Sequence, residues 1–146
     1  MSVFLKVVRV EDCSPIEDAV VDLWHCDAIG RYSGFAEEGT EDETFCRGIQ
    51  VTNARGLVRF DTTFPGWYPG RTTHFHFKVR LSNSELVTSQ LYFEDSIPDR
   101  IYENRRPYTD RGARQTRNSG DFGYREELEL TVRRPYAGLV IGVASD

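Results

Sequence analysis

Residues 73–80, THFHFKVR, alternate apolar and polar side chains, and this pattern constrains the fold more than any other feature of the sequence. Successive side chains of a β-strand point to opposite faces of the sheet. One face of such a strand would carry Thr73, Phe75, Phe77 and Val79. The other face would carry His74, His76, Lys78 and Arg80. The segment therefore predicts a strand whose aromatic face lies in a hydrophobic core and whose opposite face presents two histidines side by side.

Short runs of the same kind recur along the chain, separated by residues that favour turns. We predict further strands at residues 3–8, 20–24, 50–51, 57–60, 86–93, 127–132 and 139–143. Turn residues at 11–18 suggest that the first two strands form an antiparallel pair, and the sequence NARG suggests a second hairpin from 50 to 60. This spacing predicts an all-β fold, an antiparallel β-sandwich with long loops.

The sequence contains one plausible short helix, which would make the fold a sandwich with at most one helix. Ser96 is placed to cap it, Pro98 lies in the first turn, and Asp99 is an acid near the positive end of the helix dipole. We expect it to reach Asn104. The length of 146 residues suits a single domain spanning residues 1–146.

Composition excludes several classes of function. The net charge of −5 argues against binding to nucleic acid or to an anionic membrane, and no apolar run is long enough to cross a bilayer. The first residues lack the features of an export signal, so we expect a cytoplasmic protein, while an exported mature form stays open. Six arginines lie between Arg100 and Arg117, interleaved with acids, which favours an internally paired loop over an anion site.

The three cysteines, Cys13, Cys26 and Cys46, have no spacing typical of zinc ligands. Cys13 and Cys26 could face each other across the first predicted hairpin and form a disulfide. Free thiols are the simpler interpretation, and we favour it.

The two histidines on one strand face lie about 7 Å apart along the chain and could converge on one metal ion. Exposed surface histidines are the alternative. The nearby residues that could complete a metal site are phenols: Tyr68 lies in the turn FPGWYPGR, and Tyr32 lies in the glycine-flanked turn of WHCDAIGRYSG. A phenol becomes a good anionic ligand only beside a strongly polarising cation, and Fe(III) meets that requirement better than zinc or calcium.

Three segments, WHCDAIGRYSG, PGWYPGRTTHFHFKV and TSQLYFED, resemble the signature segments of the intradiol ring-cleavage dioxygenases, a family that includes protocatechuate and catechol dioxygenases. The resemblance runs from about Val3 to Tyr108. It implies a β-sandwich enzyme that binds non-haem Fe(III) through Tyr32, Tyr68, His74 and His76. It also implies cleavage of a catechol-type diol between its hydroxylated carbons with O₂, to a muconate-type diacid.

The resemblance implies further roles beside the metal. Tyr68 would be the displaceable ligand and general base, and Arg71 and Gln90 would lie next to the substrate. The pattern assigns no role to His25, which we interpret as structural. The identity of the diol is not determined by the sequence, and a catalytically inactive sandwich that binds metal or aromatic diols is the alternative function.

This chain also departs from the well-known catabolic members of the family, which carry an N-terminal helical region before the sandwich. Here the sequence begins almost at the first strand. The first strand would then be a possible sheet edge, which a second copy could cover in a homodimer.

Overall fold

The computed structural model describes residues 1–82, 84–133 and 136–144, and within them the chain forms eight β-strands and one α-helix. The strands are β1 (Ser2–Arg9), β2 (Val20–Trp24), β3 (Arg47–Val51), β4 (Leu57–Asp61), β5 (His74–Leu81), β6 (Ser84–Tyr92), β7 (Thr131–Arg133) and β8 (Tyr136–Val143). Helix α1 spans Ser96–Asn104. Short 3₁₀ turns lie at Ala36–Glu38, Tyr108–Arg111, Asn118–Gly120 and Glu126–Leu128.

The strands of this described part form two four-stranded sheets, with the orders β4-β1-β8-β7 and β3-β2-β5-β6. Both sheets contribute to one buried cluster, for example Val3 and Leu5 from β1 and Phe75 and Phe77 from β5. The predicted all-β sandwich with one short α-helix is confirmed. Its strand pairs are antiparallel except for β1 and β8, which run parallel. These two strands lie near opposite ends of the chain, so the long connection that a parallel pair requires is available.

The alternation of residues 73–80 is confirmed in β5. Phe75, Phe77 and Val79 are at most 1% exposed, as expected for a face in the core. Strand β5 is hydrogen-bonded to β2 on one side and to β6 on the other. The opposite face of the same strand therefore lies in the middle of the second sheet, with neighbouring strands on both sides.

Both predicted hairpins are wrong as strand pairs. Strands β1 and β2 lie in different sheets. Their apolar side chains face each other across the core, so the two strands are not hydrogen-bonded neighbours in one sheet. Strands β3 and β4 also lie in different sheets, although the tight turn between them is present and Gly56 donates to the carbonyl of Asn53. After this turn, Gly56 packs against Val7, and β4 pairs with β1.

Three local predictions need correction. Helix α1 begins at Ser96, but Asp95 occupies the cap position and the Ser96 hydroxyl donates to Glu94 instead of capping the helix. The predicted strand 127–132 is shorter, since the Leu130 N–H bonds to a carbonyl of the other sheet before β7 begins. Strand β1 is no sheet edge, because β4 and β8 pair with it on both sides. The homodimer stays a prediction, but an exposed edge at β1 no longer supports it.

The cysteines and the arginine-rich segment behave as expected. Cys13, Cys26 and Cys46 are all free thiols. Three of the six arginines form ion pairs with nearby acids: Arg106 with Asp110, the buried Arg114 with Asp95 and Asp99, and Arg117 with Asp99. Helix α1, the α-helix of the described residues, is nine residues long, and no helix there is long and apolar enough to cross a membrane.

The turn at Gly56 provides a test of this architecture. Gly56 has a φ of +72°, and a Cβ there would lie 2.4 Å from the Val7 carbonyl oxygen, whereas Gly39 has a φ of +65° and open space around it. Both Gly56→Ala and Gly39→Ala carry the cost of a left-handed backbone, but only the first adds a steric overlap. We expect Gly56→Ala to lower the free energy of unfolding by about 2 kcal/mol more than Gly39→Ala in urea denaturation. Equal losses would contradict the close approach of this turn to β1.

Candidate metal centre

Four side chains bring an oxygen or nitrogen atom to one point above the second sheet. The Nε2 atoms of His74 and His76 are 3.1 Å apart, and the Tyr68 hydroxyl lies 3.1 Å from His74 Nε2. The Tyr32 hydroxyl lies 3.1 Å from His76 Nε2, 3.4 Å from His74 Nε2 and 3.3 Å from the Tyr68 hydroxyl. The structure thus brings together all four residues that the sequence singled out.

These separations match a set of ligands better than a chain of hydrogen bonds. Atoms that each bond to one metal ion at about 2.0 Å lie about 3 Å apart, close to the five separations of 3.1 to 3.4 Å given above. His74 Nδ1 lies 2.7 Å from the Thr72 carbonyl oxygen, which can only accept, so Nδ1 carries the proton. The Nε2 atom of His74 therefore presents a bare lone pair to the centre of the cluster.

The strand register determines where the two histidines lie. His76 is paired with Trp24 on β2 and with Gln90 on β6, while His74 is paired with Tyr92 on β6. The ring of Trp24 stacks on that of His76, with centroids 5.1 Å apart and an angle of 6° between the planes. The orientation of each imidazole is therefore set, by the Thr72 carbonyl for His74 and by the indole for His76.

The two tyrosines come from loops that touch through their backbones. A Cβ on Gly66 would lie 2.5 Å from the Ala28 carbonyl oxygen, and a Cβ on Gly30 would lie 2.3 Å from the Trp67 carbonyl oxygen. Only glycine permits this approach. The Gly66 N–H also donates to the Asp27 carbonyl at 2.9 Å. The loop before Tyr32 and the loop before Tyr68 are thus held as one unit.

Residues of the acidic loop also hold Tyr32. The Tyr32 backbone N–H donates to a Glu38 carboxylate oxygen at 2.7 Å, and the Thr40 hydroxyl donates to the Tyr32 carbonyl at 2.5 Å. Glu38 and Thr40 both belong to the acidic loop, AEEGTEDE, residues 36–43. The Glu38 carboxylate thus provides a hydrogen-bond acceptor for the backbone of Tyr32 itself.

Burial determines the protonation of the four groups. It lowers the pKa of His74 to about 4 and that of His76 to about 3, so both imidazoles are neutral at pH 7. It raises the pKa of the Tyr32 phenol far above its ordinary value, and it raises that of Tyr68 against the opposing effects of Tyr32 and Arg71. Both phenols therefore keep their protons at pH 7 unless a cation displaces them.

The kind of cation follows from the donor set. In residues 1–82, 84–133 and 136–144, no group of three or more His, Cys, Asp or Glu side chains is placed to hold a metal ion. A metal bound at the cluster would need both phenol oxygens. Phenolate oxygen with neutral imidazole suits a hard, highly charged ion such as Fe(III), whereas structural zinc sites use thiolate and imidazole.

Arg71 and Gln90, the two further residues expected beside the metal, also lie together. The Arg71 guanidinium donates to the Gln90 side-chain oxygen through Nη2 and to Asp121 through Nε, the latter at 2.9 Å. The Tyr92 hydroxyl donates to the same Gln90 oxygen at 2.8 Å. Burial opposes ionisation of Asp121, but the bonds from Arg71 and from the backbone N–H groups of Thr72 and Gly123 outweigh it and lower its pKa.

His25 is structural, as expected. It is 2% exposed, its Nδ1 lies 2.7 Å from the Cys26 carbonyl, and its Nε2 lies 2.8 Å from the Thr62 hydroxyl. Its ring packs edge-on against Phe75 in the core. Both nitrogens are engaged away from the cluster.

Sequence reasoning missed three residues of the site: Trp24, Tyr92 and Asp121. The period of two could have found Tyr92, because it lies two positions after Gln90 and shares its face of β6. The pairing of Trp24 with His76 required knowledge of the strand register. Asp121 lies fifty positions after Arg71, and no spacing rule connects the two.

Comparisons with known proteins found a matching family model and several relatives. Residues 3–115 match the sequence model of a protein family described as "Dioxygenase". The chain is 33% identical over 105 residues to a chlorocatechol 1,2-dioxygenase of Cupriavidus pinatubonensis, an alignment that covers 60% of this chain and 40% of that protein. It is 27% identical over 156 residues to catechol 1,2-dioxygenase 1 of Acinetobacter lwoffii, covering 92% of this chain and 44% of that protein.

A solved structure extends the likeness to nearly the whole chain. An intradiol ring-cleavage dioxygenase from Tetranychus urticae superposes with a TM-score of 0.89 at 28% identity, covering 99% of this chain and 80% of that one. The chain spans about two fifths of the length of the curated relatives described above.

The protonation of the tyrosines gives a test that requires no turnover. At pH 7, binding of Ga(III), a colourless trivalent ion, should ionise two phenols, which a tyrosinate difference spectrum in the ultraviolet counts directly. We expect Tyr32→Phe and Tyr68→Phe each to reduce the count by one. Tyr136→Phe, at a half-exposed position on β8, should leave it at two. A parent protein that binds Ga(III) without any tyrosinate signal would contradict the four-donor site.

Proposed function

Because the chain belongs to the intradiol ring-cleavage dioxygenase family, we propose that it is a non-haem Fe(III) enzyme. It cleaves a catechol-type diol between the two hydroxylated carbons, with O₂, to a muconate-type diacid. The observation that carries this proposal is the convergence of two phenols and two imidazoles beside a fixed arginine. Known relatives whose names state catechol or chlorocatechol as substrate support the substrate class.

The ligands of the iron would be Tyr32, Tyr68, His74 and His76. Two phenolates supply two negative charges, which favour the ferric over the ferrous ion, and the neutral imidazoles need no deprotonation at pH 7. The phenols have raised pKa values in the protein alone. A weakly polarising cation would not displace their protons, so the buried pair of tyrosines itself selects for a strongly polarising ion.

Bound Fe(III) would withdraw electron density from a chelated diol and so make a ring carbon reactive towards O₂. The protein residues handle the protons and the charge. A diol must lose its hydroxyl protons to bind as a dianion, and a Tyr68 phenolate, which is more exposed than His74, would accept one of them. In this role Tyr68 would end as a neutral phenol, the form that its burial favours.

Arg71 acts on the substrate and not on the metal. A guanidinium stays protonated and has no lone pair to offer, so it cannot be a ligand. Its neighbours Gln90 and Asp121 hold two of its nitrogens. A donor held in this way stabilises negative charge as it develops on the ring, without the cost of reorienting during the reaction. Gln90, beside His76 in the sheet, supports the same group.

The direct test is oxygen consumption by the iron-loaded protein over a panel of catechol, protocatechuate, hydroxyquinol and bulkier diols. We expect a red-brown protein that consumes one O₂ per diol and forms a ring-opened diacid identified by mass spectrometry. His74→Ala should be colourless and inactive, whereas Lys78→Ala, on the same strand, should keep the colour and the activity. A coloured protein without turnover on any diol would favour the binding-module alternative, and a colourless parent would contradict the ferric site.

The role of Arg71 can be separated from that of the ligands. Arg71→Ala should keep its iron and should still change colour when catechol is added without oxygen. After O₂ is admitted, its turnover should be lower by roughly 100-fold, the usual loss for one preorganised donor. Rapid mixing separates the binding step from the oxygen step. Turnover at the parent rate would make Arg71 part of the scaffold only.

A further inference from the structure

Asp121 is a buried carboxylate in the site that no ligand role explains. It follows the 3₁₀ turn Asn118–Gly120, and its side chain is 0% exposed. One carboxylate oxygen accepts from Arg71 Nε at 2.9 Å and from the Thr72 backbone N–H at 2.7 Å, and the other accepts from the Gly123 N–H at 2.7 Å. The matched family segment ends at residue 115, so Asp121 lies outside it.

The Arg71 guanidinium is held on three sides. Asp121 bonds to Nε, Gln90 bonds to Nη2, and the ring of Phe122 lies 4.7 Å from the central guanidinium carbon. The Arg71 side chain is 14% exposed, whereas Phe122 is 81% exposed and lies on the solvent side. The segment after Asn118 therefore supplies both the buried anchor and the outer cover of this arginine.

The bond from Asp121 matters because the Arg71 side chain can adopt many conformations. An arginine has many rotamers of similar energy, so holding it in one of them costs conformational entropy. The Gln90 amide supplies one neutral acceptor for one nitrogen. The Asp121 carboxylate accepts a charge-assisted hydrogen bond from Nε–H, which is stronger than the bond to the neutral Gln90 amide. This bond fixes the direction in which the guanidinium plane points.

We propose that Asp121 is the positioning residue of the site, which orients the Arg71 guanidinium towards the substrate while touching neither the substrate nor the metal ligands. This inference rests on the proposed function for its kinetic consequence, but the orientation itself does not. Asp121 is then the means by which the chain beyond residue 115 takes part in the reaction.

A purely structural role is the competing explanation, because Asp121 also accepts two backbone N–H groups. A double-mutant cycle separates the two. If Asp121 acts through Arg71, Asp121→Asn should lower turnover by roughly tenfold or more in the parent and by less than about twofold in the Arg71→Ala background. Equal losses in both backgrounds would overturn the proposal. Iron content and the anaerobic colour change with catechol should stay unchanged.

A matched control is available in the same molecule. Asp99 accepts from Arg114 Nε at 2.8 Å, and this arginine is also buried. Asp99→Asn therefore removes the same kind of bond from an arginine that bonds to the Thr72 hydroxyl but to neither Arg71 nor any of the four metal-site residues. We expect Asp99→Asn to lower the melting temperature and to leave turnover within about twofold of the parent. A loss equal to that of Asp121→Asn would show a general effect on the fold and would overturn the proposal.

A second variant covers the case in which Asp121→Asn fails to fold. A Cβ on Gly123 would lie 3.0 Å from Arg71 Nη2, 3.0 Å from the Tyr92 hydroxyl and 3.3 Å from an Asp121 oxygen. Gly123→Ala thus keeps the carboxylate but crowds the guanidinium. We expect it to lower turnover by roughly tenfold with the iron retained. Parent-like turnover in a Gly123→Ala protein whose Arg71 Nε–H NMR signal has shifted would mean that the position of Arg71 does not matter and would overturn the proposal.

The orientation itself can be measured without iron, diol or oxygen. In the metal-free protein, the Arg71 Nε–H group should give a slowly exchanging NMR signal, assigned by its loss in Arg71→Ala. We expect the signal to persist in Asp99→Asn and to vanish or exchange rapidly in Asp121→Asn. A signal unchanged in Asp121→Asn would overturn the proposal. If no diol is cleaved, the proposed function fails, while this measurement still decides whether Asp121 holds Arg71.

Discussion

The pairing of β5 on both of its sides is the constraint on which the rest of the structure depends. Strands β2 and β6 bond to it along most of its length, and Phe75 and Phe77 fill the core beneath it. A slip of one residue would move both phenylalanines out of the core and both histidines into it, which burial forbids. Burial of the two phenylalanines stabilises the sandwich and also determines that His74 and His76 lie on the opposite face of β5.

The loops add what the sheet lacks. Two phenols reach the histidines because the backbones of their loops touch at Gly30 and Gly66, where no side chain fits. The resulting cluster is uncharged at pH 7, since burial favours neutral imidazole and protonated phenol alike. Neutral donors can be brought together in a buried place without repulsion, and the phenols would acquire charge only on binding a strongly polarising cation. The fold thus prepares the site without holding unpaired charge in its interior.

Arg71 and Tyr32 are held by residues that lie far along the sequence from the strand that carries the histidines. Asp121 reaches Arg71 from fifty residues away, and Glu38 holds the backbone of Tyr32 from within an acidic loop. Loops from both halves of the chain therefore support residues of one site. Asp121 and Arg71 are largely buried, and they are hydrogen-bonded to each other and to neighbouring groups, as buried charges must be, whereas Glu38 is exposed.

The sequence by itself determined the local features: the strands, helix α1, the face that the histidines share, and the four donors together with Arg71 and Gln90. These follow from periods and spacings within a few residues, or from the resemblance of short segments to a family. Only the tertiary structure decided that β1 pairs with β4 and β8 rather than with β2, and that Asp121 lies against Arg71. Local periodicity defines the two faces of a strand but not its neighbours. Which strands and loops meet depends on the packing of the two sheets around one core, to which residues from the whole chain contribute.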